Sequence, residues 1–111
     1  MTTRSEADVK REIQNTLKAL GCLVFRMNSG TTVLESKGRK RVINMAPPGT
    51  ADLLAFIGPT PLWIECKAPG KQPSKDQLQF RAIVNSYGHH WICADNSLEV
   101  NFAVAGIRSK L

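Results

Sequence analysis

Val9, Ile13, Leu17 and Leu20 recur at three- and four-residue intervals with charged residues between them, the period of a helix that buries one stripe. Ser5 stands where a helix start is capped, and Gly21 where a left-handed C-terminal turn wants glycine. Residues 5–20 are therefore expected to form one amphipathic helix. CLVFRM, residues 22–27, reads as a short strand. From Asn28 to Ala46 the chain turns polar, and two β-prone pieces, TTVLE and RVINM, flank the stretch Ser36 to Lys40. A glycine-centred turn there predicts a hairpin. Pro47-Pro48-Gly49 breaks the pattern, and Asp52 to Ile57 follows as a nearly continuous apolar run, the look of a strand covered on both faces.

Residues 58–61 (GPTP) form a turn signal before the next strand, 62–67. Alternation puts Leu62, Ile64 and Cys66 on one of its faces and Trp63, Glu65 and Lys67 on the other. After a Gly/Pro loop from Ala68 to Pro73, Ser74 opens a second helix through Tyr87, stopped by Gly88. His90 to Ala94 is the last strand, and Asn96 with Glu99 caps a C-terminal helix ending near Leu111. The order is helix, strand, hairpin, strand, strand, helix, strand, helix. It predicts one α/β domain over residues 1–111, a mixed central sheet flanked by helices, without repeats, low-complexity tracts or linkers.

Composition narrows the partners. At 111 residues, 42% hydrophobic and 22% charged, the chain is of ordinary globular character. Fifteen Lys and Arg against nine Asp and Glu give a net charge of +6, which attracts a polyanion. Nucleic acid is the usual one; an anionic membrane surface would also attract it. No apolar run approaches the roughly 18 residues of a membrane span, and the charged N-terminus lacks the apolar core of a leader peptide. A cytoplasmic protein is expected. Cys22, Cys66 and Cys93 are widely spaced within apolar stretches, without a CxxC pair or a Cys/His cluster, so they read as reduced core thiols.

The candidate chemistry lies on two neighbouring strands. A tight turn makes them antiparallel, and the right register brings Asp52, which opens one, beside Glu65 on the other. Glu65 and Lys67, two positions apart, share a face. Converging carboxylates suit a hard divalent cation, which acidifies water for attack on phosphorus. A neighbouring lysine orients that water or offsets the charge that develops. A Glu-x-Lys pair on a strand is otherwise a solvated same-face pair worth a fraction of a kcal/mol. Glu35-Ser36-Lys37, in a polar turn without a partner acid, has that character. Glu65-Cys66-Lys67 differs, because charges on a covered apolar strand are costly unless paired or metal-bound.

The set Gly49-Thr50-Ala51-Asp52, Glu65-Cys66-Lys67 and Gln77 resembles the PD-(D/E)XK nuclease pattern. With Glu6, Val9, Ile13, Leu17 and Gly21 in the first helix, Asn28-Ser29-Gly30 after the first strand and a Gly-Pro loop leading to Ser-x-x-Gln, it resembles the VRR-NUC family in its short, standalone, phage-type form. The likeness runs from Glu6 to about Ala94, and Ala51 departs from it where proline often precedes the aspartate. The resemblance implies a restriction-endonuclease-like core and a Mg2+- or Mn2+-dependent DNA endonuclease. It further implies metal binding by Asp52, Glu65 and the Cys66 backbone carbonyl, with Lys67 as the catalytic lysine. Glu6 would reach the site from the first helix as a further metal ligand, and Gln77 would position substrate or water. It also implies a homodimer acting on branched DNA such as a four-way (Holliday) junction.

The residues themselves leave plainer readings open. Glu6 is an acid in a first helical turn, where it favours the helix dipole; Gln77 completes a capping box with Ser74. Glu12 is a competing acid on the first helix, with a less fitting apolar frame. Lys37, Arg39, Lys40 and Arg41 crowd the hairpin and can follow a phosphate backbone, or can be a solvated turn. Lys71 and Lys75 flank the start of the second helix, where a phosphate is favoured. His89 and His90 read as structural rather than as an acid–base pair; Trp63 either packs beneath the site, the plainer reading, or stacks on a base. The alternatives to a DNA endonuclease are a non-catalytic nucleic-acid-binding module of the same fold and an RNA-processing nuclease.

Overall fold

The Ser5 hydroxyl accepts from the Asp8 N–H (3.1 Å) and the Asp8 carboxylate accepts from the Ser5 N–H (3.2 Å), a reciprocal cap that starts helix α1 (Glu6–Ala19). Val9, Ile13 and Leu17 form its buried stripe, as the periodicity predicts. The structure is a computed structural model describing residues 4–27, 31–44 and 46–111, with the backbone alone for 31–34 and 41–44. Asn28-Ser29-Gly30, part of the family likeness, and the side chain of Arg41 lie outside the described residues.

The strands are β1 (Leu23–Arg26), β2 (Thr31–Ser36), β3 (Arg39–Asn44), β4 (Leu53–Ile57), β5 (Thr60–Cys66) and β6 (His90–Ala94). Helix α2 (Lys75–Ser86) precedes β6, and α3 (Ser97–Arg108) follows it. Four strands make a mixed sheet in the order β1-β4-β5-β6, antiparallel except for the parallel β5–β6 pair. This is the expected α/β arrangement of mixed sheet and helices. The hairpin β2–β3 is a separate two-stranded ribbon. Its connection is only Lys37-Gly38, both at positive φ (52° and 75°), so its strands run further than the five-residue turn expected from sequence. The final helix likewise ends at Arg108, short of Leu111.

One face of the sheet carries Leu53, Ala55, Ile57, Leu62, Ile64 and Cys66, all buried against the stripes of α1 and of α3 (Val100, Val104, Ile107). Helix α2 lies on the other face and covers only part of it: Phe80 meets Trp63 edge to face, with ring centroids 5.0 Å apart. The expectation that β4 is covered on both faces is therefore corrected. Leu54 and Phe56 are only half buried, and Phe56 meets the exposed ring of Phe25 on β1. The apolar run reflects one face in the core and the other at a partly open aromatic surface. No described helix is long and apolar enough to cross a membrane.

Candidate functional site

Gly58-Pro59 joins β4 to β5 so tightly that Ile57 pairs with Thr60 and Leu53 with Ile64. Counting back one residue sets Asp52 beside Glu65, the expected juxtaposition, although the turn is two residues and not the four (58–61) expected from sequence. Asp52 precedes β4, and its Oδ2 accepts from the Cys66 N–H at 2.8 Å, anchoring the carboxylate to the next strand. Its Oδ1 lies 3.2 Å from the Lys10 ammonium of α1. Glu65 is 2% exposed, an unusual fate for a carboxylate. Its Oε1 accepts from the Gln77 amide at 2.8 Å, while its Oε2 is buried with no hydrogen-bond partner.

Lys67 follows β5 directly. Its ammonium stands 3.9 Å from Glu65 Oε1 and 3.7 Å from Glu6 Oε1, so Glu6 reaches the site through Lys67. Glu12 instead pairs with Arg4, so of the two glutamates on α1 it is Glu6 that joins the site. The trans peptide between Cys66 and Lys67 directs its polar ends oppositely. Its N–H, that of Lys67, donates to the Ala94 carbonyl of β6 (3.1 Å), so the Cys66 carbonyl faces the Asp52 side. That gives two neighbouring carboxylates and one carbonyl, all oxygen donors, at the same end of β5. These are ligands that fit Mg2+ or Mn2+, and the unpartnered Glu65 Oε2 is an acceptor such a cation would satisfy. No cluster of three His, Cys, Asp or Glu side chains able to hold an ion occurs among the described residues.

Gln77 serves both readings left open by the sequence. Its Oε1 accepts from the Ser74 N–H (2.7 Å) and its own N–H donates to the Ser74 hydroxyl (3.2 Å), while its Nε2 donates to Glu65. Capping α2 and holding Glu65 are thus one side chain's work. Replacing Ser74 by alanine is expected to cost about 1 kcal/mol regardless of pH. Gln77→Ala also removes a donor to Glu65, so its cost should grow once Glu65 ionises; urea unfolding on either side of that transition separates them.

Burial first, and the Asp52 carboxylate beside it second, push the Glu65 carboxyl up to about 8, against the pull of Lys67. A carboxyl raised in the folded state favours folding at low pH, and that contribution fades as pH rises from its ordinary 4.5 towards 8. In EDTA the protein should lose stability across that window. Glu65→Gln should flatten the slope and leave the variant more stable than its parent near pH 8. Urea midpoints across the range measure this, and an unchanged slope in the variant would remove Glu65 as its source.

The remaining expected residues lie apart. Lys37, Arg39 and Lys40 are exposed on the ribbon, where Lys40 pairs across with Glu35 in register. Lys71 and Lys75 are exposed around the start of α2. His89 accepts from the Trp63 indole N–H at 3.0 Å through Nδ1, a packing role for the pair, and His90 is exposed at the start of β6. Cys22 and Cys66 are buried, and burial pushes both thiols up. Sequence reasoning missed Lys10. Its one signal was position, one turn beyond Glu6 on the same face of α1. No family model matches the chain, and no curated protein does.

Proposed function

We propose that the chain is a divalent-metal-dependent DNA endonuclease of the PD-(D/E)XK type, similar to the VRR-NUC nucleases. The observation that carries this reading is a pair of neighbouring carboxylates, Asp52 and the almost fully buried Glu65, close enough to share a proton, with the Lys67 ammonium 3.9 Å from Glu65. Two carboxylates brought together at the end of a core strand are costly unless a proton or a cation lies between them. Asp52, Glu65 and the Cys66 carbonyl would hold Mg2+ or Mn2+. When bound, the cation supplies Lewis acidity, drawing charge from the phosphodiester and acidifying water near the phosphorus.

The chain's own groups do the rest. The Cys66 N–H and Lys10 orient Asp52, and Gln77 orients Glu65. Lys67 positions the attacking water and offsets charge as its oxygen bonds to phosphorus and one P–O ester bond breaks, the leaving oxygen taking up a proton. Glu6 keeps Lys67 in place. Lys37, Arg39, Lys40, Arg41, Lys71 and Lys75 supply the sequence-independent grip on the backbone. A homodimer acting on branched DNA in the cytoplasm belongs to the same proposal. The half-open aromatic face of Leu23, Phe25 and Phe56 supports a self-association surface.

The test is cleavage of a labelled four-way DNA junction beside linear duplex, single-stranded DNA and matched RNA, with Mg2+, Mn2+ or EDTA. Metal-dependent cutting of DNA is expected, strongest on the junction. Retained, salt-sensitive binding with no cutting in either metal would replace the nuclease by a binding module; RNA cut in preference to DNA would change the substrate class.

A further inference from the structure

Beyond Lys67, on the side of the sheet away from Asp52, a pocket of about 440 Å3 opens between the loop before α2, the β6 edge and the start of α3. Its volume falls in the range of small-ligand sites. Three cations line it, Lys67, Lys71 and Arg81. Its apolar wall is Trp91 with Leu78, and Asp95 and Glu99 stand in the same lining. The Arg81 guanidinium lies over the Trp91 ring, 5.5 Å from its centroid. Trp91 pairs in register with Trp63, and Cys93 with Glu65, so the pocket wall continues the face that carries the candidate metal site. Lys67 belongs to both.

We infer that this pocket takes the base of one unstacked nucleotide of the strand being cut, the phosphate of that nucleotide lying towards Lys67 and Lys71. The inference rests on the nuclease reading for its placement in the reaction, but the pocket's chemistry argues for a nucleotide by itself. Plain anion binding would not be served by Asp95 and Glu99, which repel it. A nucleotide presents both chemistries: a phosphate for the cations, and base amino groups that carboxylates accept from. The indole and the guanidinium above it are the two side chains on which unpaired bases stack most readily. The Trp91–Arg81 pair is loose at 5.5 Å, and Arg81 is exposed, so its guanidinium is free to shift onto an incoming base. A base held here is necessarily out of its duplex, and unstacking costs least at a junction, flap or single strand. The pocket therefore supplies a physical reason for a preference for distorted DNA that the metal site alone does not.

The experiment titrates the full chain in EDTA with dAMP and, separately, with 2-deoxyribose 5-phosphate, following the two tryptophan indole N–H signals by NMR. Trp63 does not line the pocket and its indole N–H is already bonded to His89, so its signal is the internal control. The Trp91 signal should move saturably with dAMP while that of Trp63 holds. The sugar phosphate should bind about tenfold more weakly, the worth of one stacked base. Arg81→Ala should weaken dAMP about fivefold or more without unfolding the protein, since Arg81 is exposed. Equal affinity for dAMP and the sugar phosphate, or no movement of the Trp91 signal, would overturn the base pocket. So would full dAMP affinity in Arg81→Ala. These readings need neither metal nor turnover, so they stand apart from the cleavage test. Absence of cutting with dAMP still seated at Trp91 would fell the nuclease and leave the nucleotide site.

Discussion

Lys67→Ala is expected to lower the single-turnover rate of metal-dependent DNA cleavage by about 10²–10³-fold, the usual loss when one group aimed at developing charge is removed. DNA affinity should change by less than about threefold, because backbone grip is shared among many phosphate contacts. The geometry sets this asymmetry. The Lys67 side chain is only 17% exposed and stands between carboxylates, Glu65 Oε1 at 3.9 Å and Glu6 Oε1 at 3.7 Å, so it meets the one phosphate at the site and adds little to the grip along the rest of the backbone. Two mechanisms for the loss can be told apart. Lys67 lowers the Glu65 pKa, so removing it makes Glu65 harder to ionise. If that is all it does, raising the pH restores most of the rate; if it acts on the attacking water or on charge at phosphorus, the deficit persists. Lys67→Arg should rescue little, since a planar guanidinium cannot replace a compact ammonium between two carboxylates. Cutting by Lys67→Ala at the parent rate would remove Lys67 from the chemistry.

Much of the site is legible in sequence because short turns leave register little freedom. Strand alternation puts Glu65 opposite the core face, but the register is legible only to within the turn's length: the two-residue turn sets Asp52 beside Glu65, where the four-residue turn expected from GPTP would set it opposite Lys67. The apolar stripe of α1 was equally legible, since its period is a local property. What could not be read depends on which element covers which surface. The run Leu54 to Phe56 is as apolar under a helix as beside a half-exposed Phe25, so one-sided and two-sided burial of β4 look alike. Lys10 meets Asp52 only because α1 packs on that side of the sheet. The Gln77 amide looked like either a cap or a site residue, because nothing in a Ser-x-x-Gln spacing says where its second polar atom points.

Gly49→Ala should destabilise the protein by about 3 kcal/mol or more and disorganise the site from outside it. Gly49 has φ +89°, in the left-handed region where a side chain is strained. A Cβ built there falls 2.6 Å from the carbonyl carbon of Asp76, and closer still to its oxygen. Backbone cannot swing aside as a flexible side chain can, so either the Gly49 loop or the first turn of α2 must move. Both carry site residues: three positions after Gly49 the chain delivers Asp52, and Gln77 follows Asp76. The missing side chain is thus what lets the loop bearing one carboxylate of the candidate site rest against the helical turn that holds the other. Gly38→Ala is the control, since Gly38 also has positive φ (+75°) but open space around it; it should cost only the conformational part, about 1 kcal/mol. Urea unfolding measures both. The separation of the two values tests the contact, and the dependence of midpoint on pH tests its link to the site. A parting of loop and helix turn would loosen Gln77 from Glu65, so Gly49→Ala should alter the Glu65-linked slope where Gly38→Ala leaves it unchanged. Equal losses in the two variants would mean that the loop yields without strain, and that Asp52 and Gln77 are held independently.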